Sequence, residues 1–205
     1  MIRLPAFVLV GCVVCAGLIP IELGSVSSHR PLPEGRLPPA EAEPAAPEIR
    51  KLAKTARVRC VQLHGHTTPE SCSELAREFR VIRALSTDMR FDPEYAAAFL
   101  HCDVLIDAYH PVLRGGTGQM CDWSAARAAL RYTRFLILSG GLNVKNVGQA
   151  IAAVTPHAVD VCSGIESAPG VKDHRALERF ISAVRAGERS VRATSTHKPP
   201  LTMSS

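Results

Sequence analysis

The chain has 205 residues, 46% of them hydrophobic and 21% charged, with a net charge of +5. That composition excludes a disordered chain and allows one domain with a sizeable core, or a smaller domain with a tail. No Lys/Arg run with interleaved aromatics is present, so the mild positive balance speaks against nucleic acid and fits an anionic substrate.

Behind Met1-Ile2-Arg3, residues 4–21 read LPAFVLVGCVVCAGLIPI, an apolar run of signal-peptide length. Leu9-Val10-Gly11-Cys12 resembles a lipoprotein cleavage box. The run is marginal for a membrane span, and a buried strand or a misplaced start is the plainer reading. Residues 25–47 are rich in Pro, Ala and Glu without apolar periodicity, which predicts a linker or disordered segment.

From Glu48 the chain alternates. Helices are predicted over Glu48–Ala56, Pro69–Phe79, Pro93–Leu100, Trp123–Leu130, Asn146–Val154 and near Arg175–Val184. Between them lie strands at Arg59–Leu63, Val81–Leu85, Asp103–Ile106, Phe135–Leu138 and Ala158–Val161. Pro69 suits a first helical turn, and Asp122 is a candidate N-cap for a helix opened by the packing residue Trp123. From about Gly187 the chain turns polar and reads as a mobile tail. Strands that are apolar throughout, alternating with amphipathic helices, predict a parallel sheet in an α/β fold. Seven scattered cysteines (12, 15, 60, 72, 102, 121, 162) have no paired metal spacing and point to a reducing cytosol.

The chemistry gathers at the strand ends. Phe135–Leu138 closes on Ser139-Gly140-Gly141, and Ala158–Val161 closes on Cys162-Ser163-Gly164. Two successive strand ends built from small residues let backbone N–H groups approach an anion, as in the phosphate cradle of a (β/α)-barrel. Asp107 ends the strand DVLI, where a barrel places general acids and bases, and burial there would raise its pKa. The alternative is a loop-stabilising Asp. His64 is read as a structural histidine or a substrate donor. Asp160, inside an apolar strand, should face a polar mouth, with Glu166 aimed near it. Arg114-Gly115-Gly116-Thr117-Gly118 is either a ligand loop or a simple flexible one.

Five motifs occur in order: VQLHG (61–65), LIDAY (105–109), GGTG-x-x-x-DW (115–123), LSGGLN-x-x-NV (138–147) and VDVCSGIES-x-PG-x-KD (159–173). Together they resemble the phosphoribosylanthranilate isomerase family of tryptophan biosynthesis, over about residues 48–186. The resemblance implies a (β/α)8 TIM barrel, of which the fourth to eighth strands are recognisable here. It implies an Amadori rearrangement of N-(5′-phosphoribosyl)anthranilate to 1-(2-carboxyphenylamino)-1-deoxyribulose 5-phosphate, without cofactor or metal. Asp107 would be the general acid. Gly116, Gly118, Gly140, Gly141, Ser163 and Gly164 would hold phosphate and substrate, with His64 and Asp160 lining the site. Cys162 stands where the family usually has Ser. The implied partner is a phosphosugar, with no nucleic acid or membrane, a cytoplasmic location and room for a homodimer.

The family's base is a Cys in a first-strand K-[IV]-C-G context, which this chain lacks. Cys15 is the nearest match, but it precedes Gln62 by only 47 positions. Three βα units must fit between, and a βαβ unit takes about 30 residues. Ser28-His29-Arg30 resembles the family's S-x-R, whose Arg meets the anthranilate carboxylate, but Arg30 stands in a setting that is Pro-rich and not strand-like. These departures predict an incomplete barrel: an apolar segment to residue 24, a linker at 25–47, a barrel portion at 48–187 and a tail at 188–205. Five strands cannot close an eight-stranded barrel. The alternative reading is therefore a truncated or frameshifted fragment that retains phosphate binding without catalysis. A lipid-anchored, exported phosphosugar binder is a third.

Overall fold

The computed structural model describes residues 7–10, 19–20, 46–65, 67–87, 91–108 and 123–196. Five parallel strands form the centre: β3 (Cys60–Leu63), β4 (Arg80–Ser86), β5 (Asp103–Asp107), β6 (Leu136–Ser139) and β7 (Ala158–Val161). They lie side by side in chain order. Two short strands border them. β1 (Phe7–Val10) runs parallel to β7, and β2 (Ile19–Pro20) runs antiparallel to β3.

Helices alternate with the parallel strands, the first before β3 and the last after β7. They are α1 (Ala46–Thr55), α2 (Pro69–Leu75), α3 (Trp123–Ala129), α4 (Val147–Val154) and α5 (His174–Thr196). Between β4 and β5 the link is a 3₁₀ helix, Pro93–Phe99, opened by Asp92, whose carboxylate accepts the Glu94 N–H at 2.9 Å. Thr68 caps α2 by accepting the Ser71 N–H, and Pro69 takes the first turn as expected.

Side-chain alternation splits the sheet into two faces. One face carries Val61, Leu63, Val81, Leu85, Val104, Ile106, Leu136, Leu138, Val159 and Val161, and it packs on the helices through Leu75, Phe99, Ile151 and Phe180. The other carries Cys60, Ile82, Ala84, Leu105, Ile137 and Ala158, backed by Phe135. Both layers are buried, which explains strands apolar at nearly every position.

Two departures from the predicted elements have clear causes. The last helix does not stop near Val184 but continues through Gly187 to Thr196. Gly187 is not a terminator. A Cβ there would sit 3.2 Å from the Gly148 Cα, so glycine lets α5 approach α4 closely. The second is a hairpin of β8 (Glu166–Ala168) and β9 (Val171–Lys172), too short for any periodicity to reveal.

Arg83 is an unexpected buried charge. Its guanidinium lies on the helix-side face, 5.3 Å over the Phe99 ring. It donates to the carbonyls of Leu63 at 3.1 Å and Ala84 at 2.8 Å, and also to that of Gly65. The Leu63 and Gly65 contacts pin the chain on either side of His64. Removing a buried, hydrogen-bonded charge partner is costly. Arg83→Met should therefore lower stability by about 2–4 kcal/mol, read by urea denaturation, and an unchanged midpoint would refute the pinning role.

Candidate active site

All five parallel strands end on the same side, so their C-terminal residues form one rim: Leu63-His64-Gly65, Ser86-Thr87, Asp107-Ala108, Ser139-Gly140-Gly141 and Cys162-Ser163-Gly164. The inner face turns from apolar to polar at this rim. By alternation Gln62, Ser86, Asp107, Ser139 and Asp160 continue the face that holds Ile82, Leu105 and Ile137.

Register places three of these in a row. Asp107 pairs with Ser86 on one side and with Ser139 on the other. Ser139 Oγ then donates to Asp160 Oδ2 at 2.9 Å. Two carboxylates thus flank one hydroxyl across three adjacent strands, with backbones separated by about 9–10 Å from β5 to β7. The Asp107 side chain is half-buried, neither enclosed nor on the open surface. Its backbone is fixed by Thr87, which donates to the Asp107 carbonyl from N–H at 3.1 Å and from Oγ1 at 3.2 Å.

His64 sits at the end of β3, half-buried. The Gln62 amide Nε2 donates to His64 Nε2 at 2.8 Å, which requires the ring to accept there and places its proton on Nδ1. Burial holds the His64 pKa below its ordinary 6.5, the Arg83 charge lowers it further, and the Asp107 charge pulls the other way. His157 is also held down by burial, with Asp103 opposing, and its Nδ1 accepts the Leu136 N–H at 3.0 Å. Both rings resist protonation in the folded state, so the unfolded chain binds more protons once the pH falls below 6.5. Stability should therefore be full above that value and decline as the pH drops through the lowered folded-state values. The carboxylates of Glu78, Glu166 and Asp173, also lowered, lose their contribution only below their ordinary 4.5 and 3.8. A melting temperature that stays flat between about pH 7 and about pH 5 would sink this expectation.

The two small-residue loops meet. Gly140 and Gly141 both have positive φ, 95° and 63°, which only glycine adopts without strain. The side chains of Asn143 and Asn146 donate to the Gly141 carbonyl at 3.2 and 3.0 Å, and Asn146 Oδ1 accepts the Asn143 N–H at 2.8 Å. On β7 the chain turns at Cys162 into a single 3₁₀ turn, Ser163–Ile165. Gly164 lies so close to the first loop that a Cβ would reach 1.9 Å from the Leu142 carbonyl oxygen.

The fold thus brings Asp107, His64, Asp160, Gly140, Gly141, Ser163 and Gly164 to one rim. Cys15, Arg30, Gly116 and Gly118 lie outside the described residues, as do Asp122 and the whole of the GGTG loop. Glu166 is paired within the hairpin that follows this rim. It accepts from Lys172 Nζ at 2.7 Å. Lys172 falls in the last of the five motifs, but the sequence gives it no role, because a Lys in a short polar hairpin carries no signal of burial. Of the described cysteines, Cys60, Cys72 and Cys102 are buried and Cys162 is half-buried, all as free thiols.

Comparison with known proteins agrees with this geometry. A family model described as N-(5′-phosphoribosyl)anthranilate (PRA) isomerase matches residues 42–183. The N-(5′-phosphoribosyl)anthranilate isomerase of Trichlorobacter lovleyi is 41% identical over 137 residues, 66% of each chain. The crystal structure of the Thermotoga maritima phosphoribosyl anthranilate isomerase superposes with a TM-score of 0.62 at 36% identity, covering 73% of this chain and 76% of that one. A phosphoribosyl anthranilate isomerase in complex with reduced 1-(o-carboxyphenylamino)-1-deoxyribulose 5-phosphate matches with a TM-score of 0.59 at 33% identity, covering 73% and 74%. The chain spans about two thirds of the length of the curated relatives it matches, 66% for the T. lovleyi protein. By motif order, strand topology and these matches, the chain belongs to the N-(5′-phosphoribosyl)anthranilate isomerase family.

Proposed function

We propose that this chain acts on N-(5′-phosphoribosyl)anthranilate and isomerises it to 1-(2-carboxyphenylamino)-1-deoxyribulose 5-phosphate. The observation that carries the reading is the row Asp107–Ser139–Asp160 beside the two interlocked small-residue loops, at one rim of a parallel sheet. In this reading the backbone around Gly140, Gly141, Ser163 and Gly164 holds the phosphate. Asp107 gives its proton to the ribose ring oxygen, and the ring opens to a Schiff base. A base then takes the C2′ proton, and the enol-amine tautomerises to the ketone. His64 and Asp160 contact the sugar hydroxyls. Cys15 and Arg30, the nearest matches by resemblance to the family's base and to its Arg for the anthranilate carboxylate, lie outside the described residues.

The same reading takes the sheet as a partial barrel, five parallel strands bordered by β1 and β2. It also carries a cytoplasmic location and assembly as a homodimer, which fractionation and sedimentation would check. Among the described residues no helix is long and apolar enough to cross a membrane. The family matches favour the isomerase over a non-catalytic fragment. The deciding assay follows loss of phosphoribosylanthranilate fluorescence with purified, folded protein, alongside complementation of a tryptophan auxotroph lacking this isomerase. A folded protein that binds inorganic phosphate yet turns over no substrate would reject catalysis and leave the fragment reading.

A further inference from the structure

The β8–β9 hairpin carries an ammonium group, the Lys172 of the last sequence motif, to which the motif by itself assigns no role. Lys172 Nζ is held in three directions: Glu166 Oε1 at 2.7 Å, the Cys162 carbonyl oxygen at 3.1 Å and Cys162 Sγ at 3.4 Å. The Lys172 and Glu166 side chains are 13% and 12% exposed, so this is a sheltered pair. An ammonium has three N–H donors, and all three are engaged. Lys172 is therefore not placed to bind an anion directly, and its charge is balanced by Glu166.

What it controls is a peptide plane. In a trans peptide the carbonyl oxygen and the following N–H point in opposite directions. The Cys162 carbonyl and the Ser163 N–H share one plane. Fixing the carbonyl on the hairpin side therefore fixes the Ser163 N–H on the other. The Ile165 N–H reaches the same oxygen at 3.4 Å, so Lys172 makes the shorter of two contacts that anchor this turn. One residue further on, Gly164 is wedged against Leu142, so the orientation is transmitted to the neighbouring loop.

We infer that Lys172 is a positioning residue for the phosphate loop, acting through the Cys162 carbonyl to aim the Ser163–Gly164 backbone at the anion. The inference rests on the phosphate reading of the proposed function. Burial alone would lower the Lys172 pKa, but the Glu166 hydrogen bond and the Cys162 thiol outweigh it and raise the pKa, so the ammonium stays charged. Glu166 is correspondingly lowered, chiefly by the hydrogen bond from Lys172.

The test is binding of inorganic phosphate, followed by ³¹P NMR, to the wild type and three variants. Lys172→Met should weaken phosphate binding about tenfold and raise KM for phosphoribosylanthranilate similarly, with kcat changed less than threefold or so. Lys172→Arg, which keeps a donor for the Cys162 carbonyl, should recover most of the affinity. Glu166→Gln should lose stability but keep phosphate affinity within about threefold, because Lys172 still reaches that carbonyl. Equal loss in Glu166→Gln and Lys172→Met would overturn the inference, since it would mark a pair that serves stability alone. Unchanged affinity in folded Lys172→Met would overturn it too. If the wild type binds no phosphate, the phosphate reading itself falls, and this inference falls with it.

Discussion

Asp107→Asn should reduce turnover of phosphoribosylanthranilate by about 10²–10⁴-fold, the usual contribution of a positioned general acid. The carboxylate stands at the rim end of β5, in register with Ser86 and Ser139. Asparagine keeps the shape and leaves the Thr87 contacts intact, because those reach the Asp107 carbonyl and not its side chain. Stability should therefore shift by less than about 1 kcal/mol. The loss should appear in kcat and kcat/KM together, since a proton donated only in the transition state adds little to ground-state binding. A variant that keeps more than about a tenth of wild-type kcat would remove Asp107 from the acid role. A variant that raised KM alone would make Asp107 a binding group.

Gly164→Ala should be strongly damaging for a single added methyl. Its Cβ would lie 1.9 Å from the Leu142 oxygen, 2.9 Å from the Leu142 carbon and 3.0 Å from the Asn143 Cα. All three are backbone atoms, so no rotamer change relieves the clash. The obstructing loop is itself held by Asn143 and Asn146 on the Gly141 carbonyl. One loop must move away from the other, at a cost at or above the roughly 1–3 kcal/mol typical of overpacking. Phosphate affinity should fall with it. Gly148→Ala is the matched control. Nothing lies within 4 Å of its added Cβ, and it sits inside α4. Helix propensity there should raise stability by about 0.5–1 kcal/mol. Urea denaturation of both variants would check the contrast, and a stable Gly164→Ala with normal phosphate affinity would show that the loops need not touch.

Much of this arrangement is legible in the sequence alone. The apolar runs at Val61, Val81, Val104, Leu136 and Val159 gave five strands within a residue or two of their ends, because strands buried on both faces have no polar positions to blur them. The small residues after β6 and β7 marked the paired loops, and Asp107 was marked by its place at a strand end. The end of α5 lies beyond the stop that the sequence predicts, since glycine signals a helix stop in isolation but a close helix crossing when Gly148 lies opposite. The roles of Arg83 and Lys172 were invisible, because each depends on carbonyls distant from its own backbone position.

The sequence by itself determined the alternation of strand and helix, the family and the acidic residue at the rim. These are properties of local pattern: hydrophobic period, small residues at turns, and motifs in fixed order. Only the tertiary structure decided that Asp107, Ser139 and Asp160 stand in one row, that Gly164 locks against Leu142, and that a lysine in a short hairpin holds the Cys162 carbonyl. Those facts follow from strand register and backbone contact between segments far apart in the chain, and no local pattern encodes either one.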